Sequence, residues 1–179
     1  MDHDKPLFVC IEPDNASNVL AARLSTLKLY PRDSRNASVS LADLPDRWIG
    51  YDAARAVIAR ADVFQSAPTA RLEALLEWVG GGGHLVLIPP ATQSGKLHPE
   101  WVKRLGIQFA MKVPFEEHAA FSARYGTPSA QTLRSVLEGD PGEALLGDAQ
   151  GPILARKSCG LGLVSCVALD LAGPSWPLN

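Results

Sequence analysis

The sequence predicts an α/β fold: a flavodoxin-like, mostly parallel sheet with helices on both faces and a β-hairpin at its C-terminal end. Three observations carry this. Short continuous apolar runs at residues 7–11 and 84–88 have the composition of strands buried on both faces. Segments with helical spacing lie between such runs, the alternation expected of a parallel sheet. The last two β-rich segments flank a glycine-containing turn, as in a hairpin.

The elements follow in order. Leu7-Phe8-Val9-Cys10-Ile11 is the first strand. Asp14 or Asn15 caps a helix in which Ala16, Leu20, Leu24 and Leu27 share one face, until Pro31 ends the pattern. Val39 and Leu41 alternate with serines as a short strand. An irregular connection then carries Trp48, Tyr51 and Asp52 to a third strand at Ala56–Ala59. Ser66 and Pro68 open an amphipathic helix at about residues 68–79, with Leu72, Leu75, Leu76 and Val79 at i, i+3, i+4 and i+7. Gly80–Gly83 stops it, and His84–Ile88 is the next strand. Trp101, Val102 and Leu105 predict a short helix. Ile107, Phe109, Met111 and Val113 alternate as a half-exposed strand near an edge. Residues 114–151 read as an irregular insertion with a helix at Gln131–Glu138, and Ile153–Lys157 and Leu163–Leu169 form the closing hairpin. A single domain over residues 1–179 is expected. The abrupt end at Trp176-Pro177-Leu178-Asn179 suggests that it belongs to a longer protein.

Composition narrows the function classes. Of 179 residues, 47 are Leu, Val, Ile or Phe, about 26%, above the roughly 20% below which chains stay disordered. A net charge of −2, from 17 basic and 19 acidic side chains, supplies no general attraction for nucleic acid or anionic lipid. No apolar run reaches the roughly 20 residues that span a bilayer, so direct membrane insertion is not expected. Cys10, Cys159 and Cys166 are too few and too scattered for a disulfide scaffold or a structural zinc site. His84, His98 and His118 show no paired ligand spacing, so no metal or other cofactor is expected.

Two motifs invite a chemical reading. Gly80–Gly83 follows a helix and precedes a strand, the reverse of a phosphate loop; the helix C-terminus there carries roughly −0.5 of partial charge and disfavours an anion. Cys159, beside Lys157, is the thiol expected to be most accessible, but no helix follows to lower its pKa. Ligands of open α/β sheets bind beyond the C-terminal ends of the strands. On that rule Glu12, Asp14, Asp62, Thr92, Gln93, Ser94 and Asp170 are the candidate ligand-binding residues.

Three segments together resemble a known superfamily. These are Trp48-Ile49-Gly50-Tyr51-Asp52, Leu75-Leu76-Glu77-Trp78-Val79 before Gly82-Gly83-His84-Leu85-Val86, and the closing Gly160-Leu161-Gly162-Leu163-Val164 with Asp170. Their order resembles the class I glutamine amidotransferase-like superfamily, and in particular an uncharacterised bacterial branch found as soluble domains of membrane-anchored proteins. The resemblance implies a flavodoxin-like fold and tethering through parts outside this chain. It also implies a missing active site. Amidotransferases place a cysteine at the turn after the strand matching Leu85–Ile88, where this chain has Pro89-Pro90-Ala91, and no histidine follows His118.

The expected function is a non-catalytic module that binds a small molecule or a protein within a larger bacterial protein. One alternative is a hydrolase using Ser94 or Thr92 of the strand-end loops. Another is a structural assembly domain in which an exposed Trp48, Trp101 or Trp176 anchors a partner.

Overall fold

A computed structural model describes residues 5–12, 19–26, 33–90, 97–115 and 132–171. Its elements are β1 (Leu7–Glu12), α1 (Val19–Thr26), β2 (Arg35–Ser40), β3 (Ala54–Arg60), α2 (Thr69–Gly80), β4 (His84–Ile88), α3 (Pro99–Leu105), β5 (Ile107–Pro114), β6 (Leu133–Gly139), β7 (Glu143–Asp148), β8 (Gly151–Cys159) and β9 (Gly162–Val167). Seven strands form one sheet in the order β2-β1-β3-β4-β9-β8-β7. The first five run parallel, and β8 and β7 add antiparallel strands at one edge. The mixed α/β, mostly parallel sheet read from the sequence is therefore present.

Period-two alternation divides the strands between two cores. Ile11, Val57, Ala59, Leu85, Leu87, Val164 and Cys166 face one side, where Leu72, Leu75, Leu76 and Val79 of α2 and Trp101 and Leu105 of α3 cover them. Each such side chain removed from water contributes about 1.5–3 kcal/mol. Cys10, Ile58 and Ile88 face the other side, where Leu20 and Leu24 of α1 pack. Asp14 and Asn15, the expected caps of α1, lie outside the described residues. The carboxylate of Glu12 does that work: its Oε1 accepts from Leu20 N at 2.7 Å and Ala21 N at 3.1 Å.

The connection from β2 to β3 consists of two 3-10 turns, Leu41–Asp43 and Trp48–Tyr51. Arg71 of α2 donates to the carbonyl of Leu41 at 2.8 Å, and the Tyr51 hydroxyl to that of Pro45 at 3.4 Å. These bonds fix the connection on α2 and hold Trp48 at the surface.

Two expectations for residues 114–151 need correction. The helix expected at Gln131–Glu138 is β6, which pairs antiparallel with β5 in a separate two-stranded sheet. The remainder is not irregular throughout, since Glu143–Asp148 is the edge strand β7 of the main sheet. The physical reason lies in Arg134. Its side chain is fully buried, its guanidinium pairs with Asp148 at 2.6 Å and donates to Pro152 O at 3.1 Å, and Ser135 N donates to Ala168 O at 2.8 Å. Those bonds, with a bridge from Arg134 to Leu169, lock β6 across the β7–β8 turn in extended form.

Candidate functional site

The C-terminal ends of β1, β3, β4 and β9 lie at one edge of the sheet, the edge expected to bind ligand. Glu12 is buried there and holds the N-terminus of α1. Asp62 accepts two bonds from Arg60, Nε to Oδ1 at 3.1 Å and Nη2 to Oδ2 at 2.7 Å. Asp170 is half-buried just after β9. Asp14, Thr92, Gln93 and Ser94 lie outside the described residues. Glu12 and Asp62 are thus each engaged within the fold.

The thiols sit mainly in the core. Cys10 and Cys166 are buried, and burial pushes the Cys166 thiol up to about 12, so it is protonated at neutral pH. Cys159 closes β8 half-buried, packed against the α2 side of the core. Among the described residues no group of three or more His, Cys, Asp or Glu side chains is placed to hold a metal ion.

A histidine and a serine meet inside the sheet. His84 Nε2 lies 2.9 Å from Ser165 Oγ, on adjacent strands β4 and β9. Burial, reinforced by Arg55 and Arg156, lowers the His84 pKa from its ordinary 6.5, which leaves the ring neutral at pH 7. Ser165 is buried on an interior strand paired on both sides, so its neighbouring backbone N–H groups belong to the ladder rather than to an oxyanion. The pair is structural. It carries a pH signature: because the folded pKa is below the unfolded one, stability is complete above pH 6.5 and falls as pH drops through the folded value. Asp140 is also lowered, from 3.8, by its hydrogen bond with Lys157, and so acts only in stronger acid. Urea midpoints from pH 5 to 8 are expected to slope downward below 6.5 in the natural chain and to flatten in His84→Asn.

An open recess among the described residues lies at the opposite edge, where β3 and β4 begin. The Gly81–Gly83 turn folds back on α2, with amide bonds to the carbonyls of Glu77, Val79 and Trp78 at 2.9–3.0 Å. A Cβ on Gly83 would collide with the Trp78 ring, and one on Gly162 with the carbonyls of Val79 and Gly83. Only hydrogen allows these approaches. The tip of the β8–β9 hairpin braces the turn from below, Leu161 N donating to Gly80 O at 2.9 Å and Leu163 N to Gly83 O at 3.0 Å. Beside the turn is a cleft of about 260 Å³, lined by Trp48, Trp78, Asp52, Arg55 and the glycine backbone. Trp48 is 47% exposed; Ile49 next to it is 62% exposed, and Leu161 86%. Trp101, the second tryptophan considered as a partner anchor, is wholly buried, and Trp176 lies outside the described residues.

Sequence reasoning missed this cleft, although a signal was present. Residues just before neighbouring parallel strands share one end of the sheet, and Trp48 with Asp52 precedes β3 as Gly81–Gly83 precedes β4.

No family model matches the chain, and no curated protein matches it. Solved structures share its shape. An exo-β-1,4-mannosidase from Opitutaceae bacterium strain TAV5 is similar at TM-score 0.60 and 16% identity, over 94% of this chain and 32% of that one. A β-galactosidase from Bacillus circulans sp. alkalophilus gives 0.59 and 16%, over 94% and 29%. A cytoplasmic protein from Salmonella typhimurium LT2 gives 0.66 and 13%, over 95% and 90%. The chain therefore spans about a third of the two glycosidases and nearly all of the Salmonella protein. At these identities the likeness is one of fold.

These findings correct the expected family. The structures of similar shape are glycosidases and a cytoplasmic protein of Salmonella rather than glutamine amidotransferases, so the amidotransferase-like assignment does not hold. The expectation of membrane association falls with the resemblance that carried it. Among the described residues, no helix is long and apolar enough to cross a membrane.

Proposed function

We propose that this chain is a non-catalytic, flavodoxin-like binding module whose ligand site is the cleft beside Gly81–Gly83. The cleft carries the reading. It joins an exposed aromatic ring to a few polar groups, the make-up of a ligand pocket, and its lining holds no Ser, Thr or Cys and a single carboxylate, Asp52, where glycoside hydrolysis takes a pair. The parallel strand order β2-β1-β3-β4-β9 supports the flavodoxin-like assignment, since it matches the doubly wound order 2-1-3-4-5. A role within a larger bacterial protein is supported by the glycosidases, in which this shape is about a third of the chain.

The same surface favours a second reading, an assembly domain, because Trp48, Ile49 and Leu161 are all exposed near the glycine turn. The hydrolase reading rests on polar residues of the strand-end loops, of which Thr92 and Ser94 lie outside the described residues.

Iodoacetamide labelling of the native protein from pH 5 to 9, resolved by peptide mass, tests the non-catalytic reading. Cys10 and Cys166 are expected to stay unlabelled, and the half-buried Cys159 to react slowly. Rapid labelling of any of them at pH 6 would reveal a stabilised thiolate and overturn that reading.

A further inference from the structure

We infer that the cleft beside Gly81–Gly83 is a subsite for a single neutral saccharide ring. The inference rests on the binding-module reading and names its ligand class. Size comes first: about 260 Å³ falls just below the roughly 300 Å³ at which pockets for drug-sized ligands begin, which fits one ring.

Charge comes second. Asp52 contributes a carboxylate and Arg55 a guanidinium, while the last carbonyls of α2 are taken up by the amides of Gly81–Gly83 and Leu161. An anion meets Asp52; a cation meets Arg55. A neutral ligand with both donors and acceptors satisfies both. Adjacent hydroxyls do this well, since a carboxylate accepts from two and a guanidinium fork donates to two.

The aromatic arrangement comes third. Trp48 is half-exposed and offers a broad apolar platform, whereas Trp78 is buried and lies against Gly83. One open face with polar groups at its rim suits a puckered ring that has one apolar C–H face and hydroxyls around its edge. The glycine turn lets the ligand approach the backbone, because Gly82, with φ 123°, presents no side chain there.

The test is a titration of the ¹⁵N-labelled chain with methyl β-D-mannoside, methyl β-D-galactoside and methyl β-D-glucoside, followed through the indole and backbone N–H resonances. At least one glycoside is expected to shift the Trp48 indole and the Gly81–Gly83 amides saturably, with Kd about 1–10 mM. Trp48→Phe is expected to keep that binding and Trp48→Ala to lose it more than tenfold, while the buried Trp101 indole reports an unchanged fold. No saturable shift with any glycoside overturns the inference, and so do shifts given only by adenosine or by lysine amide. Release of methanol from a glycoside would instead overturn the non-catalytic reading beneath it.

Discussion

Asp148→Ala is expected to destabilise the fold by about 3–5 kcal/mol, the cost of leaving a buried charge without its partner. Arg134 is fully buried, and Asp148 receives its shortest bond at 2.6 Å while also accepting from Gln150 N at 2.8 Å. The remaining bond, to Pro152 O, is to a neutral acceptor, and Arg134 Nε has no partner among the described residues. For a chain of this size the loss corresponds to a fall of about 6–20 °C in Tm. The double variant Arg134→Met, Asp148→Ala removes the charge as well as its partner and is expected to recover most of the loss, because an apolar side chain of similar volume avoids desolvation. Differential scanning calorimetry on both variants checks this. If the double variant is no more stable than Asp148→Ala alone, the guanidinium is not the source of the penalty.

Trp101→Ala is the second large effect, also about 3–5 kcal/mol. Trp101 is wholly buried under α3 and stacks on Phe64 with ring centroids 4.3 Å apart. Its removal leaves a cavity bounded by sheet and helix that the backbone cannot collapse to fill. Its indole nitrogen, however, has no hydrogen-bond partner among the described residues. A buried unmet donor costs about 1–3 kcal/mol, so Trp101→Phe, which keeps a ring on Phe64 and deletes the donor, is expected to stay within about 1.5 kcal/mol of the natural chain. Chemical denaturation of the pair measures the difference. Equal losses in the two variants would contradict this account, since Trp101→Phe keeps the ring on Phe64 and most of the filled volume.

The parts of the fold legible in the sequence are those whose pattern is fixed by burial against a large neighbour. The middles of β1, β3 and β4, Phe8–Ile11, Ala56–Ala59 and Leu85–Ile88, carry no polar residue because helices cover both faces of the sheet. α2 has a clear apolar stripe because one of its sides rests on that sheet. β6 was illegible for a related reason. Leu133, Val136 and Leu137 stand at i, i+3 and i+4, a helical spacing, but the residues that the fold buries include Arg134 and Ser135. A buried arginine cannot be foreseen without its partner, and Asp148 is 14 residues away on another strand.

The candidate site divides in the same way. The use of Glu12 as a cap depends on where α1 begins relative to β1, which composition does not encode. Trp48 was legible as a residue with two fates, core or surface. The fold buries Tyr51 against Trp78, with ring centroids 5.7 Å apart, and leaves Trp48 exposed at the start of the same 3-10 turn. Gly80–Gly83 was legible as a helix stop; that it also forms one wall of a cleft follows only from the parallel pairing of β3 with β4.

The proposed ligand site lies at the start of β3 and β4 rather than at the C-terminal ends of the strands. Screening the ¹⁵N-labelled chain against a library of single-ring fragments, with every shifted amide mapped, tests it most directly. The account predicts that saturable shifts cluster on Trp48, Asp52, Arg55 and Gly81–Gly83. Shifts gathered instead around Glu12, Asp62 and Asp170 would contradict it and return the site to the strand-end loops.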